Sequence, residues 1–372
     1  MRAPTPHPHP IGSPEAWREA LEVAADHGRL APSVHNTQPW VFALFPDRLE
    51  VRADRSRQLA VLDPEGRELV MSVGAALFGV RASLAASRLA PEVRRLPDPD
   101  DPDLLATVEQ GSGAPDPALA PLDRVTARRH TNRHPFGPET VPAEDLEELA
   151  AAVAAEDAVL VPVRAAQQRV LVGELTRLAD LLQNADPDYR DELRRWTGQS
   201  PAQGDGVPAS SVPRTAGPRT DAVPVRDFDL RGTGGLPKQT GSGVDQTLLL
   251  LATAQDDVLA WLRAGEALQR LLLELTRRDW VAGPLTQSLE VPETRARLGE
   301  LTDPFVPQML LRVGRAAPAE PTARRPRRAV VENSSHPDAP AVPRQPAPAP
   351  APTPAVVRPA PVPDGRGGTT WG

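Results

Sequence analysis

The chain of 372 residues contains no cysteine, which excludes disulfides, thiolate metal ligands and a cysteine nucleophile. The 42 basic residues are outnumbered by 49 acidic residues, and the resulting net charge of −7 argues against a general nucleic-acid-binding surface. No unbroken apolar run reaches the roughly 18 residues that a membrane-spanning helix needs. The first ten residues lack the apolar core of a signal peptide. We therefore expect a soluble cytoplasmic protein without nucleic-acid or membrane partners.

Aromatic residues are scarce, at 3% of the chain, whereas proline is abundant, with 45 residues. Proline, alanine and valine dominate residues 334–372, a composition that cannot bury a core and favours a polyproline-like, disordered tail. The Pro- and His-rich start, residues 1–12, is also expected to be disordered. A solvated tail is the simplest interpretation, and a scaffold role in which the tail binds a partner stays open.

The segment Pro32–Trp40 carries Ser, His, Asn, Thr and Gln before a Pro-Trp pair. Short polar side chains compete for backbone hydrogen bonds, so its first part is predicted to be a loop. Pro39 should hold Gln38 in an extended conformation, and the apolar run 40–45 is predicted to be a buried strand. Such a loop suits ligand binding, although it also fits a well-capped turn before a core strand.

The sequence "APSVHNTQPW" at 31–40 resembles the Ala-Pro-Ser-x-x-Asn-x-Gln-Pro-Trp segment of the nitroreductase family of FMN-dependent flavoproteins. In that family the segment follows a helix and contacts the flavin. A helix is predicted here from Glu15 to His27, because apolar residues at helical spacing follow a Ser13-Pro14 cap. The resemblance implies that the loop binds FMN.

A second polar motif, "RRHTNR" at 128–133, is rich in hydrogen-bond donors. Arg129, Thr131 and Arg133 alternate, so an extended segment would place them on one side, where they suit a phosphate and the polar edge of a ring. The motif resembles the Arg-x-Ser/Thr-x-Arg/Lys start of nitroreductases, and the following residues match its continuation except at Pro135. Without the resemblance to this family, a solvated basic turn would be the simpler interpretation of the motif.

Apolar periodicity predicts helices at 68–90, 170–182 and 259–275, and strands at 49–53, 158–163 and 308–314. The first and last of these helices, "GAALFGVRASLAA" and "AGEALQRLLLEL", are slim, which suits close packing at a crowded interface. The layout therefore looks doubled, with one slim central helix in each half of the chain.

The order of the two motifs differs from that of the family, in which the Arg-rich segment precedes the loop and FMN lies at a dimer interface. Here the loop lies in a first half, 13–121. The Arg-rich segment, residues 128–133, lies in a second half, 122–333. The resemblance implies an α/β (α+β) nitroreductase-like fold whose two halves form a pseudo-dimer around one site. The resemblance covers about residues 15–330. Within the family, this arrangement is similar to that of the Acg-type branch.

By this resemblance, Arg129 and Thr131 hold the FMN phosphate and ribityl chain, and Arg133 lies near the pyrimidine edge of the ring, where positive charge favours the reduced flavin. Backbone at 283–285 faces the flavin N5 side. Arg324 and Arg325 form a second phosphate clamp or a solvated basic run. The expected cofactor-binding residues are Ser33, His35, Asn36, Gln38, Arg129, Thr131, Asn132, Arg133, Gly283, Pro284, Leu285, Arg324 and Arg325.

Residues 187–244, within the second half, are rich in Gly, Pro, Ser and Thr and show little periodicity beyond a helical turn at 192–196. A segment of this length without periodicity is usually a lid or a disordered insertion. Tyr189, Trp196 and Phe228 are apolar anchors that a solvated loop would not need, so we expect a lid over the flavin.

Two further motifs are weaker. His130 and His134 are four residues apart, but no helix or acidic third ligand supports a metal site. The "RGTGG" segment at 231–235 lacks the flanking strand and helix of a dinucleotide-binding motif. Neither changes the expectation of FMN as the cofactor.

The leading hypothesis is an FMN-binding oxidoreductase, monomeric or dimeric, whose flavin is reduced by NAD(P)H or another donor and reoxidised by a small acceptor. The alternative is an FMN-binding or FMN-sequestering protein with little turnover, because a lid covers the flavin.

Overall fold

The computed structural model of the chain describes residues 9–133, 136–197, 204–208, 211, 223–226, 228, 246–317 and 319–333, together with two short strands further along. The helices are α1 (Pro14–Gly28), α2 (Arg67–Ala86), α3 (Ala120–Asp123), α4 (Ala143–Ala154), α5 (Ala166–Ala185), α6 (Pro187–Trp196), α7 (Val258–Arg277), α8 (Gln287–Glu290) and α9 (Pro292–Leu298). The strands are β1 (Trp40–Leu44), β2 (Arg48–Ala53), β3 (Pro91–Arg95), β4 (Leu104–Gln110), β5 (Val159–Pro162), β6 (Thr247–Thr253), β7 (Val281–Pro284), β8 (Val306–Gly314), β9 (Val331–Asn333), β10 (Val362–Pro363) and β11 (Thr369–Thr370). The predicted combination of helices and sheets is confirmed.

Helix α1 leads into the loop at residues 32–38, which we call the polar loop. Ser13 caps it by accepting a hydrogen bond from the amide of Ala16 at 3.2 Å, and Pro14 occupies the first turn. The helix ends at Gly28, where a Cβ atom would lie 2.9 Å from the ring of Phe42. The predicted helix and its cap are confirmed, and the close approach to β1 fixes where the loop begins.

The first sheet has the strand order β3-β4-β2-β1-β9. Strands β1 and β2, which were both predicted, pair as an antiparallel hairpin, with Trp40 opposite Ala53. Strand β4 was not predicted, because it follows a long acidic, Pro-rich loop. Strand β9 runs parallel to β1 and pairs Val331 with Phe42. The end of the expected second half therefore completes the sheet of the first half.

The second sheet has the order β5-β6-β8-β7, and all its strands are antiparallel. Strand β6 lies inside it and is buried along nearly its whole length. Sequence analysis missed this strand, because the leucine run 248–251 lacks the alternation that identifies a half-buried strand. Strands at 159–162 and 306–314 agree with the predictions.

The long helices α2 and α7 cross at two glycines. A Cβ atom on Gly74 would lie 2.1 Å from the carbonyl oxygen of Leu262, and one on Gly265 would lie 2.0 Å from the carbonyl oxygen of Met71. The contact is reciprocal: Leu262 lies three positions before Gly265, and Met71 lies three positions before Gly74. The close packing expected from the slim helices is confirmed at this crossing.

Helix α2 is long and apolar enough, by length and composition, to cross a membrane, and 89% of its apolar stretch is buried inside the protein. The search for unbroken apolar runs did not single out this predicted helix, because Arg81 interrupts its apolar residues. Burial against the rest of the chain is what a core helix shows.

The described part of the insertion packs on the first half. Helix α6 is longer than the single turn predicted, and Glu192 accepts hydrogen bonds from the amides of Val61 and Leu62 at 3.1 and 2.9 Å. Tyr189 and Phe228 are buried there, and the other predicted anchor, Trp196, packs against the same apolar cluster. The "RGTGG" segment, His134, residues 1–8 and most of the tail lie outside the described residues.

Candidate cofactor-binding site

A cleft lies where the polar loop, the Arg-rich segment and the insertion meet. Its free volume is about 100 Å³. Helices α2 and α7 and strand β8 supply an apolar lining of Met71, Ala75, Leu268, Leu272, Met309 and Leu311. An apolar cleft with a few convergent polar groups is typical of a small-molecule site.

The polar loop has an unusual backbone. His35, Asn36 and Gln38 have φ angles of 44°, 56° and 51°, in the left-handed region. Each such residue costs on the order of 1–3 kcal/mol, and strain of this kind clusters at binding sites. The extended conformation predicted for Gln38 is wrong, because its amide donates to Oγ of Ser33 at 2.9 Å and turns the loop back on itself.

The imidazole of His35 lines the cleft and is only 8% exposed. Burial, together with the positive charges of Arg226 and Arg133, lowers its pKa to about 3, so the ring is neutral at physiological pH. Nδ1 has no hydrogen-bond partner among the described residues. The ring meets Phe228 edge to face, with centroids 6.0 Å apart. A neutral imidazole with a free nitrogen can bind a polar group of a ligand.

Two arginines meet beside the cleft. Arg129 is buried and lines the cleft, whereas Arg324 is half-buried and lies behind Arg129 without lining it. Nη2 of Arg129 and Nη2 of Arg324 both donate to the carbonyl oxygen of Leu30, each at 3.1 Å. Burial, assisted by Arg324, lowers the pKa of Arg129 to about 9, and burial, assisted by Arg29, lowers the pKa of Arg324 to about 10. Within the described part of the chain, neither forms an ion pair and both Nε atoms lack a partner. Uncompensated buried positive charge of this kind favours an anionic ligand.

Residues 130–133 of the Arg-rich segment also line the cleft. The guanidinium of Arg133 lies 5.6 Å from the ring centroid of Phe228, and burial with the nearby Arg226 lowers its pKa to about 10. Thr131 forms a bridge with Ala282 of β7, and the amide of Asn132 donates to the carbonyl of the same residue at 2.9 Å. Strand β7 therefore fixes the segment beside the cleft.

Gly283 and Pro284 also line the cleft. A Cβ atom on Gly283 would lie 2.5 Å from the carbonyl oxygen of Asn132, so only glycine allows β7 to approach the Arg-rich segment this closely. Leu285 does not line the cleft, since its side chain is buried in the apolar core below the second sheet. Of the expected stretch 283–285, residues 283 and 284 therefore line the cleft.

Three other expected residues bind protein backbone rather than line the cleft. The side-chain amide of Asn36 donates to the carbonyl of Gly206 at 3.0 Å, and that of Gln38 donates to the carbonyl of Gly204 at 2.8 Å. Arg325 donates to the carbonyl of Gln38 at 3.1 Å. These bonds hold the insertion and the C-terminal segment against the polar loop, so their influence on a ligand would be indirect.

Sequence analysis missed three charged residues of the cleft, namely Glu68, Arg226 and Arg312. None belongs to a local motif, and each is buried by residues distant in sequence. Only Arg226 had a neighbouring signal, the predicted anchor Phe228.

No family model matches the chain. The Mycobacterium tuberculosis protein named "Putative NAD(P)H nitroreductase Rv3131" is 36% identical over 315 residues, which are 81% of this chain and 88% of that protein. "Putative NAD(P)H nitroreductase acg" from the same organism is 32% identical over 318 residues, 81% of this chain and 91% of that protein. The crystal structure of "FMN and NADPH-dependent nitroreductase NfnB" from Sphigopyxis sp. strain HMH gives a TM-score of 0.36 at 17% identity, over 58% of this chain and 99% of that chain. Since the mycobacterial relatives match four-fifths of its length at 36% and 32% identity, the chain belongs to the nitroreductase family.

Proposed function

We propose that the protein binds FMN in the cleft and acts as an oxidoreductase, whose flavin is reduced by NAD(P)H or another donor and reoxidised by a small acceptor. The observation that carries this proposal is the pair Arg129 and Arg324, which has two buried Nε atoms without a hydrogen-bond partner and no acidic partner among the described residues. The names of both mycobacterial relatives support the assignment, since each includes NAD(P)H nitroreductase.

The residues of the cleft fit the parts of FMN. The two arginines suit a phosphate monoester, because an ionised phosphate accepts several charge-assisted hydrogen bonds. The apolar lining from α2, α7 and β8 suits a flat ring system. The free Nδ1 of His35 and the hydroxyl of Ser33 suit ring carbonyls or ribityl hydroxyl groups.

Bound FMN would supply hydride chemistry, and the protein would bind, orient and shield it. Arg133 would stabilise negative charge on the reduced ring. Gly283 would let backbone groups of β7 approach it closely. No nucleophilic side chain is required for this chemistry.

The proposal includes a pseudo-dimer, in which one chain supplies both sides of the site. The polar loop and α2 come from the first half, whereas the Arg-rich segment, α7 and β7 come from the second. The reciprocal contacts of Gly74 and Gly265 support this view, since equivalent residues meet in the same way across a two-fold interface.

Purified protein should release FMN at about one molecule per folded chain, because both parts of the proposed site lie in one chain. Chromatography identifies the released flavin, and absorbance on a sizing column gives its ratio to protein. Release of FAD, or failure of the apoprotein to take up flavin, would overturn the proposal. Two flavins per chain, or binding by a dimer only, would overturn completion of the site within one chain.

A second function, FMN storage with little turnover, is favoured by the position of the insertion. The ring of Phe228 lies against both His35 and Arg133. The neighbouring Arg226 is held by a buried ion pair with Glu290 at 2.6 Å. Arg226 and Phe228 therefore form one wall of the cleft. A wall that stays closed over a bound flavin would keep a hydride donor away from the ring.

Phe228→Ala should speed FMN dissociation by roughly 2- to 12-fold, since an aromatic contact contributes about 0.5–1.5 kcal/mol. Flavin reduction by NAD(P)H should become faster as well, because the ring becomes more accessible. Stopped-flow absorbance measures both rates, and replacing residues 198–245 by a short Gly-Ser linker should change both further.

Leu181→Ala is the control, because Leu181 is an exposed apolar residue of α5 that does not line the cleft. The control should keep the parent rates. Equal rates in the Phe228→Ala variant, the linker variant and the parent would show that the insertion is not a lid.

A further inference from the structure

Glu68, at the start of α2, lies between two cavities. It is 4% exposed and lines the cofactor cleft. It also lines a second cavity of about 600 Å³, in company with Asp63, Glu65, Arg67 and Glu290. Among the described residues, no other residue lines both cavities. Because Glu65 is exposed, the second cavity reaches solvent.

The charged groups around Glu68 do not balance. Three carboxyl groups, those of Asp63, Glu68 and Glu290, share the buried guanidinium groups of Arg67 and Arg226. Nη2 of Arg67 donates to Oε1 of Glu68 at 3.0 Å, and Nη2 of Arg226 donates to both oxygens of Glu290 at 2.6 Å. The fully ionised cluster carries one excess negative charge, which favours one bound proton in a buried site.

Glu68 is the group that holds this proton. Burial, followed by the negative charge of Glu290 and then of Asp63, raises the pKa of Glu68 to about 8, against the opposing effects of Arg67 and Arg226. Burial opposes ionisation of Glu290 too, but Arg226 holds the pKa of that carboxyl below its usual value. Burial raises the pKa of Asp63 as well, while two amides at the start of α2 donate to its carboxylate and favour its charge. At neutral pH, Glu68 is therefore a neutral acid facing the cleft.

We propose that Glu68 donates the proton that a small acceptor takes up when it is reduced in the cleft, and that solvent in the second cavity returns a proton to Glu68. The inference rests on the proposed function and adds a catalytic residue to it. Because the side chain touches both cavities, a proton can enter from one side and leave on the other without opening the cleft to bulk water.

The step balances for a two-electron acceptor such as a nitro compound. Bound FMN would supply a hydride, which brings two electrons and one hydrogen, and Glu68 donates the proton. One N–O bond and the O–H bond of Glu68 break, and the products are a nitroso compound, water and the carboxylate of Glu68. Arg67, 3.0 Å away, stabilises this carboxylate until a solvent proton neutralises it.

Glu68→Gln keeps the shape of the side chain but removes its proton, so reoxidation of the reduced holoprotein by 4-nitrobenzamide should slow by about 10²- to 10⁴-fold. In the parent, the rate should be constant below pH 8 and fall above it, because Glu68 is protonated below its pKa of about 8 and ionised above it. This fall should be absent from the variant. Glu65→Gln is the matched control, since Glu65 lines the second cavity only, and it should behave like the parent.

Infrared spectra provide a readout independent of turnover. A protonated carboxyl band should be present at pH 7, disappear as pH rises through 8, and be missing from Glu68→Gln but retained in Glu65→Gln. Absence of this band from the parent, or parent-like reoxidation by Glu68→Gln, would overturn the role of Glu68 while FMN binding stands. Protein that binds no flavin, or bound flavin that no acceptor reoxidises, would overturn the proposed function and this role with it.

Discussion

Replacing Arg129 by alanine should weaken FMN binding by roughly 10- to 150-fold, since a hydrogen bond to a charged group contributes about 1.5–3 kcal/mol. Arg324→Ala should have a similar effect, because both guanidinium groups meet at the carbonyl of Leu30 and carry uncompensated charge. The double variant should lose about 100-fold to 2 × 10⁴-fold if the two losses in binding free energy add. Titration of the apoprotein with FMN, followed by flavin fluorescence, measures all three affinities.

Arg128 supplies the matched control, since it is adjacent in sequence but lies at the surface, where it pairs with Asp279 at 2.6 Å. Arg128→Ala should leave the affinity unchanged. The apoprotein of Arg129→Ala should be no less stable than the parent, because a buried arginine with a pKa lowered to about 9 opposes folding at neutral pH. Lower apoprotein stability with an unchanged affinity for FMN would mean that Arg129 is a structural residue and not a phosphate ligand.

Sequence analysis located the parts of the site in which neighbouring residues carry the chemistry. Ser33 and His35 lie in one short loop, and Arg129 and Arg133 lie in one short segment. Each motif could therefore be recognised from the sequence alone. Arg324 was equally ambiguous as a clamp and as a solvated run, and its hydrogen bond to the carbonyl of Leu30, which it shares with Arg129, separates it from Arg325.

The rest of the site depends on contacts between distant segments. Glu68 is an ordinary helix-start residue in sequence, and its raised pKa arises because Glu290 and Asp63 come close to it in a buried place. The left-handed conformation of Gln38 depends on a hydrogen bond to Ser33 that Pro39 does not predict. For the same reason the sequence did not show that β9 returns to the first sheet, since strand pairing of this kind is decided by tertiary packing.

Gly265→Ala should lower the free energy of unfolding by about 3 kcal/mol or more. Alanine normally stabilises a helix interior by roughly 0.5–1 kcal/mol relative to glycine, but here its Cβ would lie 2.0 Å from the carbonyl oxygen of Met71. No side-chain rotation relieves a contact between backbones, so α2 and α7 must separate, at a cost at or above the usual ~1–3 kcal/mol of overpacking. Gly74→Ala should cost as much, because its Cβ would lie 2.1 Å from the carbonyl oxygen of Leu262. Urea unfolding measures both losses.

Gly299→Ala is the control, since a Cβ there would lie 3.9 Å from Pro307 and should change stability by no more than about 0.5 kcal/mol. The cofactor cleft is lined by both helices, so the two destabilised variants should also bind FMN more weakly than the control. Equal losses in the Gly74 and Gly265 variants are expected if the halves correspond to two subunits, because a two-fold relation makes the two positions equivalent. Loss in one variant only would show that the crossing is not reciprocal and would remove the main support for a pseudo-dimer. Parent-like stability in both would mean that the two helices do not meet backbone to backbone at all.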